Sequence, residues 1–243
     1  MPQLTVTRNR PSRRVLLKLS GESLGGSRGE GFDSDTLRKV AGEISEIVAG
    51  GVQIGIVVGG GNFFRGLSSG LPGCDRISAD HIGMLATVMN ALALGHALTD
   101  QGRQIQVFSA FAVAGIAEPF SVDAANRCLD RGDIAVFGGG TGNPLFTTDT
   151  AASLRAVECR CDLLIKATRV DGVFDSDPET NPSARRFAAL TFNEVIEKRL
   201  AVMDTSAFSV CRDADLPICV IDIAREAALA NAIAGMDEGT LIS

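Results

Sequence analysis

Short, largely apolar runs at residues 15–19, 53–58, 104–109, 134–137, 163–166 and 218–221 alternate along this chain with segments of helical periodicity at residues 34–48, 79–100, 122–131, 149–158, 192–200, 205–213 and 226–234. A strand that is apolar at every position has both faces buried, and strands joined through helices run parallel. The expected fold class is therefore α/β: a three-layer α/β/α sandwich with a mostly parallel central sheet. No repeat or Pro/Gly/Ser-rich linker divides residues 14–243, which read as one domain behind a polar, arginine-bearing arm at residues 1–13. The polar stretch 171–186, with Pro178 and Pro182, reads as a long excursion from the sheet.

Composition narrows the function classes. The 243 residues are 45% hydrophobic, enough for a sizeable core, and carry a net charge of −6. A general nucleic-acid binder would show a basic stripe, and a single-strand binder would use aromatic platforms, yet Trp and Tyr are absent. We read no secretory signal, and no uncharged apolar run of the ~18 residues that a membrane span needs. A cytoplasmic protein without a membrane partner is expected. The six cysteines form no CxxC pair, and only His81 and His96 could join them. No metal centre is expected, and the thiols read as reduced and mostly buried.

One helical segment, residues 79–100, is unusual. No charge falls between His81 and His96. Ile82, Leu85, Met89 and Leu92 make one apolar stripe, and Met84, Val88, Ala91 and Leu94 make its neighbour. A helix apolar nearly all round is either central or covered by a partner. On the outside of a sheet, a subunit interface is the more economical explanation, so a homo-oligomer is expected.

Four loops leave the carboxyl ends of the expected strands, where open α/β sheets bind ligands. They are Lys18-Leu19-Ser20-Gly21, then Gly59-Gly60-Gly61-Asn62 ahead of Arg65, then residues 138–149, and lastly Lys166-Ala167-Thr168. The chain has only four lysines, and Lys18 and Lys166 both end buried strands. An unpaired ammonium is costly there, so an anionic partner is expected. Consecutive glycines let backbone N–H groups approach an anion, and a helix beginning just afterwards adds its positive end. Either glycine run alone is equally well explained by a tight turn between strand and helix. Two runs with two lysines and Arg65 point to a site for several phosphates. No Gly-Lys dipeptide occurs, which excludes GxxxxGK[ST], and neither glycine loop fits GxGxxG. Asp149 opens a helix beside the second glycine loop, where it either orients Lys18 or serves only as an N-cap. Asp80 faces the same choice between ligand and helix start.

Five segments together resemble the bacterial UMP kinases of the amino-acid kinase superfamily: Lys18-Leu19-Ser20-Gly21-Glu22, Gly59-Gly60-Gly61-Asn62 with Arg65-Gly66, Asp80-His81-Ile82-Gly83-Met84, Thr141-Gly142-Asn143-Pro144 with Thr147-Thr148-Asp149, and Lys166-Ala167-Thr168 with Val170-Asp171-Gly172-Val173. The resemblance runs from about Arg14 to the C-terminus. It implies transfer of the ATP γ-phosphoryl group to UMP, giving UDP and ADP in pyrimidine nucleotide biosynthesis, with Mg²⁺ bound alongside ATP. It also implies a homohexamer built from dimers, GTP activation and UTP inhibition.

By family position, Lys18, Arg65 and Asp149 would be catalytic. Lys18, Leu19, Ser20, Gly21, Gly61, Arg65, Thr168, Phe174 and Asp177 would bind ATP. Gly60, Arg65, Asp80, Thr141, Gly142, Asn143, Pro144, Leu145, Phe146, Thr147 and Thr148 would bind UMP, with Arg65 on its phosphate and Asp80 on the ribose hydroxyls. The chain departs from the family at Leu145, where an aromatic residue is frequent, and only loosely matches it at residues 25–33, near a GTP-activation region. Asp204 falls near where other superfamily kinases place a second catalytic lysine. Two other readings keep the same loops: a carboxylate kinase such as acetylglutamate kinase, and a non-catalytic sensor of UTP or GTP.

Overall fold

The computed structural model describes residues 13–66, 71–178, 180–181, 183–200 and 202–243. Apart from Arg13, the expected N-terminal arm lies outside the described residues, as does Pro182. The strands of the central sheet are β1 (Arg14–Leu19), β2 (Gln53–Val58), β3 (Ile105–Ser109), β4 (Glu118–Pro119), β5 (Ile134–Gly138), β6 (Leu163–Thr168), β9 (Ala189–Leu190), β10 (Ile218–Asp222) and β11 (Thr240–Ile242). Their spatial order is β4-β3-β5-β2-β1-β6-β10-β11-β9. All neighbours are parallel except β10 and β11.

Alternation along each strand supplies two cores. Leu16, Val57, Ala135, Phe137, Leu164 and Val220 face one side, under α3 (Val122–Asp130), α4 (Thr148–Glu158), α5 (Phe192–Glu197) and α6 (Thr205–Asp213). Val15, Leu17, Ile54, Ile56, Val136, Ile165 and Cys219 face the other, under α1 (Ser34–Ala49), α2 (Arg76–Asp100) and α7 (Ala228–Ile233). Both faces are covered, which is why the strands carry largely apolar runs.

Local chemistry moves several boundaries from their expected places. Asp75 accepts from the N–H of Ser78 at 2.7 Å and so starts α2 three residues before residue 79. Thr191 and Glu194 form a capping box that opens α5. That helix ends at Glu197, short of residue 200, and Arg199 turns left-handed at φ 50°. Ala227 at φ 60° delays α7 to Ala228. The excursion 171–186 is not irregular throughout: Val173–Phe174 (β7) and Arg186–Phe187 (β8) pair as an antiparallel hairpin. The short strands β4, β9 and β11 had no sequence signal long enough to find them.

Helix α2 corrects a second expectation. Its 25 residues are long and apolar enough to cross a membrane by length and composition. Here it lies on the sheet, burying Val88, Ala91, Leu94 and Leu98, while Ile77, Ile82, Leu85 and Met89 stay exposed.

Candidate active site

The sheet's register brings the two lysines together. Lys18 on β1 is the direct partner of Lys166 on β6. The strands are adjacent and parallel, so both side chains leave the same face. Asp149, in the first turn of α4, receives them on separate oxygens: Lys18 Nζ lies 2.9 Å from Oδ1 and Lys166 Nζ 2.7 Å from Oδ2. Lys166 also donates to the carbonyl of Val202. All three side chains are close to buried, 10–13% exposed, and the group carries a net charge of +1.

Burial pushes the Asp149 carboxyl up, but the two ammoniums outweigh it and hold the group below the usual carboxylate range. Burial pushes the Lys166 ammonium below its ordinary value; Asp149 opposes that shift and Lys18 adds to it. One carboxylate shared between two ammoniums compensates neither completely.

Asp149 is not the N-cap of α4. Thr147 is: its hydroxyl accepts from the N–H of Asp149 at 3.0 Å, leaving the carboxylate free for the lysines. Thr147 in turn donates to Asp204, which also accepts from the hydroxyl of Thr150 at 2.9 Å and caps α6 at Ala207 N. Asp204 therefore ties α4 to α6 behind the lysines and adds no cation.

The loop after β1 is pressed onto the loop after β2. The N–H of Gly59 donates to Leu19 O at 2.9 Å. A Cβ at Gly21 would lie 2.5 Å from Asn62 Oδ1 and 2.7 Å from Gly61 N, so only glycine fits. Ser20 caps a short 3₁₀ turn, Gly21–Leu24. Behind these loops the carboxamides of Asn62 and Asn90 bond each other, at 3.0 and 2.7 Å, and Asn90 also donates to Gly59 O at 2.6 Å. Asn90 belongs to α2, so this buried pair fixes the loop to that helix. Neither asparagine carried a signal in the sequence beyond its place in an apolar helix or glycine loop.

The two glycine loops differ from expectation in their use of amides. No helix follows residues 59–62 directly; Phe63 and Phe64 fold back onto Gly60 O at 3.0 Å. The N–H of Gly139 is spent on Thr87 Oγ1 at 2.7 Å. Only the second loop leads straight into a helix, α4.

A cleft of about 150 Å³ lies between these loops and α2, lined among others by Gly60, Asp80, Thr87, Gly140, Phe146 and Thr148. Asp80 is held by Arg76 at 2.9 Å and accepts from Leu145 N at 2.8 Å. That bond, with Leu145 at φ 73°, draws the segment 141–148 over the cleft. Thr141 turns the segment through its hydroxyl, which accepts from Asn143 N at 3.1 Å and leaves Gly142 and Pro144 in the bend. Leu145 and Phe146 remain exposed. At the rim, Arg65 pairs with Glu22 at 3.0 Å, and Arg169 approaches the same carboxylate at 3.6 Å. Glu22, quoted in the sequence only within a motif, is thus a counter-ion for the cations at the rim of the glycine loops.

Thr168, at the end of β6, accepts from Val170 N at 2.9 Å and launches the excursion. Phe174 lies on β7, and Asp177 turns the next segment, its carbonyl accepting from Asn181 N at 2.8 Å. The three lie in order along one stretch of chain: the end of β6, the strand β7, and the turn that follows it.

Among the described residues, no group of three His, Cys, Asp or Glu side chains could hold a metal ion. A magnesium ion that arrives on nucleotide phosphates brings most of its own ligands and needs no such group.

The model of the amino acid kinase family matches residues 13–222. The uridylate kinase of Methylococcus capsulatus is 48% identical over 230 residues, covering 95% of this chain and 96% of that protein. The crystal structure of UMP kinase from Bacillus anthracis is similar with a TM-score of 0.93 at 40% identity, covering 96% of this chain and 97% of that one. UMP kinase from Ureaplasma parvum gives a TM-score of 0.89 at 31% identity, covering 95% and 98%. With the fold matched along nearly its whole length, the chain belongs to the amino acid kinase family, on the branch of the uridylate kinases.

Proposed function

We infer that this chain transfers the γ-phosphoryl group of ATP to UMP, giving UDP and ADP, a step of pyrimidine nucleotide synthesis. The observation that carries the reading is the Lys18–Asp149–Lys166 group, set between two glycine loops at the carboxyl ends of β1 and β6. Phosphoryl transfer asks for positioned positive charge and in-line geometry, not for a protein nucleophile. The lysines supply charge where it spreads over the transferring group, and Asp149 sets their separation without needing to reorganise. Arg65 takes the UMP phosphate with a guanidinium fork, exchanging Glu22 for the ligand. Asp80 accepts from the ribose hydroxyls, a role that disfavours a carboxylate acceptor beside it. Segment 141–148 closes over the base, and Thr168, Phe174 and Asp177 hold ATP. Magnesium carried on the ATP phosphates would offset part of their negative charge beside Lys18 and Lys166.

The reading extends to a cytoplasmic homohexamer with GTP activation and UTP inhibition. The oligomer is supported by the exposed apolar stripe of α2, whose helix also carries Asp80 and Asn90.

A coupled assay with Mg-ATP and each nucleoside monophosphate tests the reading. UMP should be strongly preferred. Equal turnover of CMP would overturn the acceptor assignment, and tight UTP binding with no turnover would make the protein a sensor.

A further inference from the structure

The C-terminal strand lies on the far side of β10 from the lysines, yet it is the element that grips the nucleotide hairpin. Thr240 pairs with Val220, and Val220 is the register partner of Lys166. The side chain of Thr240 is fully buried. Its hydroxyl accepts from the N–H of Val173 at 2.8 Å and donates to the carbonyl of Phe187. Val173 and Phe187 are themselves partners across the β7–β8 hairpin. One hydroxyl is thus inserted between the N–H and C=O of a strand pair, and both hairpin strands are anchored through it.

The surrounding residues are built around this contact. Gly172 sits at φ 132°, and a Cβ there would lie 2.5 Å from Thr240 Oγ1. Arg186 donates to Gly239 O and pairs with Asp171 at 3.4 Å. Arg225 bridges Asp171, at 3.5 Å, and the buried Glu238, at 3.0 Å. Both ends of the hairpin are therefore tied to residues 238–240.

We propose that Thr240 is a positioning residue for ATP: its hydroxyl sets the hairpin that carries Phe174 and leads to Asp177 against the sheet row that carries Lys166 and Lys18. The proposal rests on the assignment of Phe174 and Asp177 to the ATP site. Removing the hydroxyl leaves a buried N–H and a half-buried C=O without their partner, which shifts the docked position of the hairpin by about tenfold in its equilibrium.

The test compares Thr240→Val with Thr240→Ser in the full-length protein, with Phe174→Ala in parallel. Thr240→Val should raise the KM for ATP about tenfold, leave the KM for UMP within twofold, and accelerate hydrogen exchange at the Val173 amide. Thr240→Ser should restore all three. A rise in ATP KM for Phe174→Ala but not for Thr240→Val would overturn the positioning role itself. No rise in either variant would move the ATP site elsewhere, and the proposal would fall with it. Equal increases for ATP and UMP, or a loss not restored by serine, would mark general loosening and overturn it as well.

Discussion

Lys18 and Lys166 are partners across adjacent parallel strands and divide one carboxylate between them, Lys18 on Oδ1 and Lys166 on Oδ2 of Asp149. Two ammoniums on neighbouring strands would repel. The carboxylate lies between them, and the group keeps one net positive charge near the carboxyl ends of the two strands.

Lys18→Ala should therefore act on the chemical step. Loss of one preorganised donor of this kind costs about a hundredfold or more in kcat. The KM for UMP should change little, because the interaction strengthens in the transition state. Steady-state kinetics with varied UMP decides it. A near-normal kcat with a raised UMP KM would remove Lys18 from the transfer step.

Asp149→Asn should be destabilising as well as slow, because removing one member of a buried ion group typically costs about 3 kcal/mol or more. The pH dependence follows from the shifts. On the proposed reading, transfer uses the Lys166 ammonium, whose folded value lies below its ordinary 10.5. Activity should thus fall on the alkaline side below that pH, and earlier still once Asp149, which opposes the shift, is gone. Stability runs the other way. Between the lowered Lys166 value and 10.5 the unfolded chain binds more protons, so raising pH through that window stabilises the fold. Asp149 contributes stability above its unfolded value of 3.8, lost as pH falls through its lowered folded value. Urea melts and kcat profiles across pH, for both proteins, measure each limb.

Arg65→Lys should raise the UMP KM despite keeping the charge. The guanidinium reaches Glu22 at 3.0 Å and is otherwise largely exposed, so it has little packing to lose. What lysine cannot supply is the planar fork for a phosphate. Unchanged UMP affinity in a titration would return Arg65 to the role of a rim charge.

Leu85→Arg and Met89→Arg place a charge on side chains that are 52% and 46% exposed in one chain. If the stripe meets its symmetry mate, each substitution enters the contact twice. Light scattering should show a smaller assembly. UMP binding should weaken with it, because α2 also bears Asp80 and holds the glycine loop through Asn90. An unchanged mass for both variants would free the stripe of any interface role.

The layered fold and the positions of the lysines were legible because each rests on a long local signal. Gln53–Val58 and Thr205–Asp213 fall at their expected bounds, since an apolar run and a capped helix declare themselves within a few residues. Two-residue strands such as Ala189–Leu190 exist only because β11 lies beside them, and no local pattern encodes that. The same divide holds at the site. Lysines at strand ends and glycine runs can be read along the chain. The Asn62–Asn90 pair and the Thr240 hydroxyl depend on residues far apart in sequence, and a carboxamide or hydroxyl in an apolar segment does not announce its partner. The N-cap reading of Asp149 was the lesser of the two by sequence, and it is displaced by a threonine two residues earlier.

The scarcity of lysine has a practical corollary. Lys18 and Lys166 are buried and ion-paired, whereas Lys39 and Lys198 are exposed. Side-chain amine chemistry, whether dye coupling, biotinylation or capture on an activated resin, should attach at these last two positions. Lys39 lies on α1, and Lys198 follows α5 beside the ring of Phe187. The molecule can thus be tagged or tethered at two known points with the amines paired to Asp149 untouched, and mass mapping of a lightly biotinylated sample would read out that protection directly.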